Sequence, residues 1–216
     1  MRQTQLGIAN LRVDVPSHIC LFYKDDTELR ERLSFLTAAL NDPTQVAVLF
    51  GNKARLEEIL GYIADDLGRD TGADVAAARI VLVHGTPDPD ALLSGIATAL
   101  DDAVARGAKL IRFLGFIGWG DLDWPPDEDL MTFEAKVTEA VKSYPAVVVC
   151  TYNVDKLPGP ILIFAGIETH PLTIVGTTLA RNPHFVPFAE YIERRSRSKT
   201  PEERDTALRG VTVGPL

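Results

Sequence analysis

Only two cysteines occur in the 216 residues, Cys20 and Cys150, and each sits inside an apolar, strand-like run. That usage excludes a disulfide framework and reads as two reduced thiols in a core. No apolar run approaches the roughly 20 residues that span a bilayer. Met1 to Asn10 lacks the apolar centre of a secretory signal. Positive charge is also short: 22 Lys and Arg face 30 Asp and Glu, for a formal net charge of −8. Such a surface argues against a sequence-independent grip on nucleic acid, which needs basic groups to neutralise phosphates. The expectation is a cytoplasmic protein with no direct nucleic-acid contact and no membrane.

Catalytic signatures are missing too. A phosphate loop needs G-x-x-x-x-G-K-[ST], and the stretch after the run 45–50 reads Gly51-Asn52-Lys53-Ala54-Arg55. The second glycine and the Ser or Thr that would meet magnesium are absent, so Lys53 reads as a surface lysine. No G-x-S-x-G accompanies the Ser, His and Asp residues. His18, His84, His170 and His184 show no metal-ligand spacing. His18 and Cys20 lie two apart on one strand face and could form half a metal site, without further ligands near them in sequence. The chain is therefore read as non-enzymatic, with no cofactor and no metal.

What is present is regular alternation. Ser17 to Tyr23, Gln45 to Phe50, Arg79 to His84, Lys109 to Leu114, Ala146 to Thr151 and Leu172 to Thr177 read as strands. Helical spacing fills the intervals: Leu29, Leu33, Leu36 and Leu40 behind Asp26, then Leu56, Ile59, Leu60, Ile63 and Leu67. Leu92, Leu93, Ile96, Leu100 and Val104 follow, and a further helix spans about Asp127 to Lys142. A short helical stretch covers Ile161 to Glu168. Strand-helix alternation means right-handed crossovers and a mostly parallel sheet covered on both faces. The expectation is an α/β three-layer sandwich, one domain over 1–192 and a polar tail over 193–216.

The run Pro145 to Lys156 is the most telling. An apolar, β-branched stretch that ends in Cys150, Thr151, Tyr152, Asn153 and Asp155 reads as a buried parallel strand. It delivers polar groups at its carboxyl end, where open α/β sheets place ligands. Tyr23, Trp119, Trp124 and Tyr152 also fall at or beyond strand ends. The loop Gly118 to Asp129, with both tryptophans, Pro125 and Pro126, looks like a binding loop. Arg112 interrupts an apolar strand, and Glu134 falls on the inner stripe of the next helix. Inward guanidinium and inward carboxylate are expected to pair, either as a core salt bridge or as a ligand-facing pair.

Several of these residues carry a resemblance. Gly7-Ile8, Val15-Pro16 and His18 to Tyr23 form a first signature. Arg112 to Trp119 with Glu134 is the second, Cys150 to Lys156 the third, and His170-Pro171 with Asn182-Pro183 the last. In this order, from about Gly7 to Pro187, they resemble the MEDS domain. That is the sensory domain of methanogens and methylotrophs, found also in a dichloromethane-responsive regulator. The resemblance implies a RecA-like fold with a degenerate phosphate loop, and a sensor of small organic molecules such as hydrocarbon derivatives. It also implies output through a helix-turn-helix or kinase-like protein. Phe116-Ile117-Gly118 departs from relatives that carry Glu and a more polar run there, so the ligand chemistry differs.

The resulting expectation is a sensor that binds a small organic ligand and regulates a separate kinase-like or helix-turn-helix partner, with room for a homo-oligomer. Tyr23, Arg112, Trp119, Glu134, Cys150, Tyr152 and His170 are its expected ligand-binding residues. Two alternatives stand beside it: a protein-interaction module with a vestigial pocket, and a degenerate nucleotide-binding protein.

Overall fold

The computed structural model describes residues 2–118 and 124–197. Among the described residues, nine strands and eight α-helices follow one another. An N-terminal hairpin, β1 (Arg2–Gln5) and β2 (Arg12–Val15), stands apart as a two-stranded sheet. The main sheet uses β3 (Ser17–Tyr23), β4 (Gln45–Gly51), β5 (Ile80–His84), β6 (Leu110–Phe116), β7 (Ala146–Asn153), β8 (Leu172–Val175) and β9 (Thr178–Arg181). Its order is β5-β4-β6-β7-β3-β8-β9, parallel throughout except for β9, which turns back on β8.

The helices are α1 (Asp26–Arg32), α2 (Ser34–Leu40), α3 (Lys53–Leu67), α4 (Gly72–Ala76), α5 (Pro89–Ala105) and α6 (Asp127–Ala140). They are followed by α7 (Gly159–Ile161), which continues as a π-helical turn over Leu162–Ile167, and by α8 (Phe188–Arg197). Side chains of successive sheet residues go to opposite faces. Val147 and Val149 join a core with Leu29, Phe35, Leu36, Leu56, Ile59 and Ile63, which belong to α1, α2 and α3. Ala146, Val148, Cys150 and Tyr152 join the other core, with Leu92, Ile96, Phe133 and Val137 of α5 and α6. Sheet and two helical layers make the expected α/β sandwich.

Connectivity creates a site. The chain leaves β3 and β4 through helices on the first face, and leaves β5 and β6 through helices on the second. Neighbours β4 and β6 therefore diverge beyond their carboxyl ends, as do β3 and β7. Such switch points open a crevice at the sheet's edge.

Three features differ from the expectation. The helix behind Asp26 is interrupted at Leu33, whose N–H bonds the Arg30 carbonyl and tightens the turn between α1 and α2. The first part of the expected tail is helical: α8 runs to Arg197, anchored by the buried Tyr191, with i,i+4 ion pairs Glu190–Arg194 and Glu193–Arg197 on its outside. The strand β1 has no apolar residue to announce it. No helix among the described residues is long and apolar enough to cross a membrane.

Candidate functional site

Polar chemistry collects in two places, one open and one buried. The open one is a cleft of about 400 Å³ at the carboxyl ends of β3, β6 and β7, beside the start of α3. Tyr23 and Phe116 supply aromatic surface; Asn52, Arg55, Asn153 and Lys156 supply polar groups. Arg55 is clamped, with Asp26 at 2.6 Å and Glu58 at 2.5 Å, and its guanidinium lies 5.7 Å from the centre of the Phe116 ring. Burial pushes the Tyr23 phenol up. Asn153 folds back to accept from the N–H groups of Asp155 and Lys156, which sets the turn after β7.

Both helices that begin near this edge have occupied N-termini. Asn52 accepts from the Arg55 N–H at the start of α3, and Asp25 accepts from the Glu28 N–H at the start of α1. Lys53 is 80% exposed and pairs at 3.9 Å with Glu57, so it points away from the cleft.

The buried place lies between the sheet and α6. His18 of β3, Glu134 of α6, Cys150 of β7 and His170, which precedes β8, are all 0–2% exposed. Four of their ligating atoms lie within 4.8 Å of one another. Nε2 of His18 is 3.3 Å from Cys150 Sγ and 3.7 Å from Glu134 Oε2. Nε2 of His170 is 3.6 Å from the same carboxylate oxygen, and the two imidazole centres are 3.9 Å apart.

Hydrogen bonds behind the rings fix the tautomers. Thr138 Oγ1 donates to the Thr169 carbonyl at 2.6 Å, so it accepts from Nδ1–H of His18 at 2.7 Å. Nδ1 of His170 faces the Ala165 carbonyl at 3.2 Å, which can only accept, so that nitrogen also carries the proton. Both Nε2 lone pairs therefore point inward. No hydrogen bond of good geometry reaches either Glu134 oxygen, His170 Nε2 or the Tyr152 hydroxyl among the described residues, although the Tyr152 hydroxyl and the Cys150 thiol both lie close enough to act on the Glu134 carboxyl.

Burial sets the titration of the cluster. It pushes the Glu134 carboxyl up to about 7 and the His170 imidazole down to about 3. His18 is lowered by burial and then by the neighbouring His170. Burial and the Glu134 charge raise the Cys150 thiol and the Tyr152 phenol. A low-dielectric group of inward acceptors is arranged to hold a cation or shared protons.

The expected site residues thus separate. Tyr23 lines the cleft. Glu134, Cys150 and His170 meet in the buried cluster, with Tyr152 edge-on to His170 at 5.7 Å. Trp119 lies outside the described residues. Arg112 is corrected: it does not pair with Glu134, because it points to the opposite face of the sheet. Its Nε donates to Gln45 Oε1, Nη1 to the carbonyls of Leu6 and Phe35, and Nη2 to that of Gln5. Trp124 is likewise buried, 5.0 Å edge-on to Phe50, rather than part of an open pocket.

Arg55 and Asn52 join the cleft without a signal in the sequence, because the stretch 51–55 resembles a failed phosphate loop and nothing else. Spacing along the chain suggests His18 with Cys20, whereas the fold joins His18 to Cys150 across the β3–β7 pair. A family model described as the MEthanogen/methylotroph, DcmR sensory domain, or MEDS, matches residues 17–171, most of the chain. No curated protein matches the sequence.

Proposed function

This chain belongs to the MEDS family of sensory domains, and from that premise we propose a sensor without catalytic turnover. A small organic molecule occupies the cleft at the carboxyl ends of β3, β6 and β7, and a separate signalling or transcription protein reads the occupied state. The cleft's composition carries this reading. Tyr23 and Phe116 offer an apolar floor, and a few convergent polar groups orient what lies on it, the usual make-up of a small-molecule site.

The charge pattern narrows the ligand. Arg55 is neutralised by Asp26 and Glu58, so the cleft favours a neutral or weakly polar molecule over a polyphosphate. A phosphate would also have to displace the side-chain caps of α1 and α3, the first of which begins among Asp25, Asp26 and Glu28. Ligand-dependent output follows if the molecule binds one conformation better than another, which shifts the population that the partner sees.

The test is calorimetric titration of a panel of small halogenated, oxygenated and sulfur-containing hydrocarbons into wild type, Tyr23→Phe and Lys156→Ala. At least one compound is expected to bind saturably and to lose about tenfold in affinity in a variant, the order of one hydrogen bond to a charged group. Binding unchanged in both variants, or chemical conversion of the compound, would overturn the reading. A protein-interaction module is the second reading. It is favoured by the exposure of Ile163 and Phe164 on the π-helical turn, and would gain from a panel in which nothing binds.

A further inference from the structure

The buried cluster is not needed for the cleft, and its geometry asks for an occupant of its own. Three of its groups are acceptors directed at one another: the Nε2 lone pairs of His18 and His170 and the carboxylate of Glu134. Cys150 and Tyr152 are the donors within reach, too few to answer every acceptor, and a buried acceptor left over is costly unless something positive sits near it.

Distances say what fits. A tetrahedral ion with bonds of about 2.0–2.1 Å to nitrogen or oxygen and about 2.3 Å to sulfur places its ligands about 3.3–3.6 Å apart. The observed separations are 3.3 Å for His18 Nε2 to Cys150 Sγ, 3.7 Å for His18 Nε2 to Glu134 Oε2, and 3.6 Å for His170 Nε2 to Glu134 Oε2. The other separations lie within 4.8 Å, so completing the coordination draws the side chains inward by up to about 1 Å.

Charge and the surrounding hydrogen bonds agree. Two neutral imidazoles, one carboxylate and one thiolate sum to two negative charges, so a divalent cation makes the assembly neutral in a core where net charge is costly. Each imidazole is turned and held by a bond at its far nitrogen, from Nδ1 to Thr138 on His18 and from Nδ1 to Ala165 on His170. Outer partners of this kind orient metal-binding histidines and fix their tautomer.

We propose that His18, Glu134, Cys150 and His170 form a closed, four-ligand site for one divalent cation with the coordination preference of zinc. Mixed nitrogen, oxygen and sulfur donors at tetrahedral spacing select zinc over magnesium or calcium, which require more oxygens. The ion ties β3, α6, β7 and the segment before β8 together, four pieces brought in by different crossovers. Cys20 is the internal control. It pairs across the sheet with Cys150, yet its thiol is not part of the four-atom group.

The experiment uses the full chain, reduced and stripped with a chelator, then titrated anaerobically with Co²⁺. One equivalent is expected to give the intense visible bands of tetrahedral cobalt with a thiolate-to-cobalt charge-transfer band, and Zn²⁺ should displace it stoichiometrically. Cys150→Ser should lose the charge-transfer band, Cys20→Ser should keep the whole spectrum, and His170→Ala should weaken binding at least about tenfold. Zinc should also raise the melting temperature of the stripped wild type, a readout independent of any variant's folding. Wild type that gives no tetrahedral cobalt spectrum overturns the site and assigns the cluster to shared protons. So does a charge-transfer band that survives Cys150→Ser or vanishes in Cys20→Ser.

Discussion

Arg112 and Glu134 are ionisable side chains enclosed in the same molecule, at 3% and 0% exposure, on opposite faces of one sheet. The guanidinium is answered by four oxygens: three backbone carbonyls and Gln45 Oε1, at 2.8–3.3 Å. It also lies 5.4 Å from the centre of the Phe35 ring. The carboxylate has only the Tyr152 hydroxyl and the Cys150 thiol near it as donors, neither in good hydrogen-bond geometry, and faces two imidazole lone pairs. A buried charge with an acceptor at each of its nitrogens is part of the framework. A buried group left open toward its neighbours marks a place where something is bound. Arg112 joins the N-terminal hairpin and α2 to the sheet, whereas Glu134 and its neighbours are poised for a cation.

Removing Arg112 should have the largest effect. Arg112→Met strands the carbonyls of Gln5, Leu6 and Phe35, and should lower stability by about 3–5 kcal/mol, at about 1–3 kcal/mol for each buried acceptor left without a donor. Urea denaturation measures it. In a double-mutant cycle with Glu134→Gln the coupling energy should be near zero, because the two side chains share no partner. A coupling above about 1 kcal/mol would join the two networks and break the comparison.

Glu134→Gln should act in the opposite direction in the chelator-stripped protein. The neutral amide removes the cost of a desolvated carboxylate and offers N–H groups to the Nε2 lone pairs. Burial holds the folded pKa at about 7, above the 4.5 of an unperturbed Glu. Wild type therefore loses stability as pH rises from about 4.5 to about 7, then runs level at a deficit of about 3 kcal/mol. The amide has no such fall, so the variant should match wild type near pH 4 and exceed it above pH 7. Depressed imidazole pKa values weaken both proteins at acid pH, so the difference between the two stability curves is the readout. Identical curves would mean that Glu134 is not desolvated.

A smaller loss is expected at Gly7, which shapes the segment that Arg112 holds. Gly7 has φ +85°, and a Cβ there would stand 2.5 Å from the Ser34 carbonyl oxygen. The Leu6 carbonyl just before it accepts from Arg112. Gly7→Ala should therefore cost about 2 kcal/mol from backbone strain and displacement of that acceptor, read as a drop in melting temperature. Unchanged melting would show that the hairpin contributes little to the Arg112 network.

Strands are legible because five of them are largely β-branched or apolar runs that no helix period explains, and β7 ends on the polar residues that mark the edge of the sheet. The face of each buried polar group is not. Arg112 alternates with Ile111 and Phe113 in a strand buried on both sides, so nothing local says which side holds α6. That depends on strand order, which the sequence of β6 does not contain. The cluster was hidden for the same reason. His18, Glu134, Cys150 and His170 each look like one polar residue in an apolar setting, and only the β3–β7 pairing and the seat of α6 bring them together. The cleft was anticipated through Tyr23 and the end of β7, while Arg55 entered through the start of α3, where only a phosphate motif was sought.

The smallest expected change in stability is at the cleft, and it separates the open site from both buried ones. Lys156 is exposed on the rim, next to the turn that Asn153 builds, and makes no ion pair among the described residues. Lys156→Ala should therefore alter stability by less than about 0.5 kcal/mol, the usual range for a surface substitution without structural partners. Its Co²⁺ spectrum should equal that of wild type, because the side chain is on the far side of β7 from Cys150. Only ligand binding should respond. A loss above about 1 kcal/mol would place Lys156 in the framework with Arg112. An altered cobalt spectrum would couple the cleft to the buried cluster through β7, whose alternate residues serve the two sites: Thr151 and Asn153 on one side, Cys150 and Tyr152 on the other.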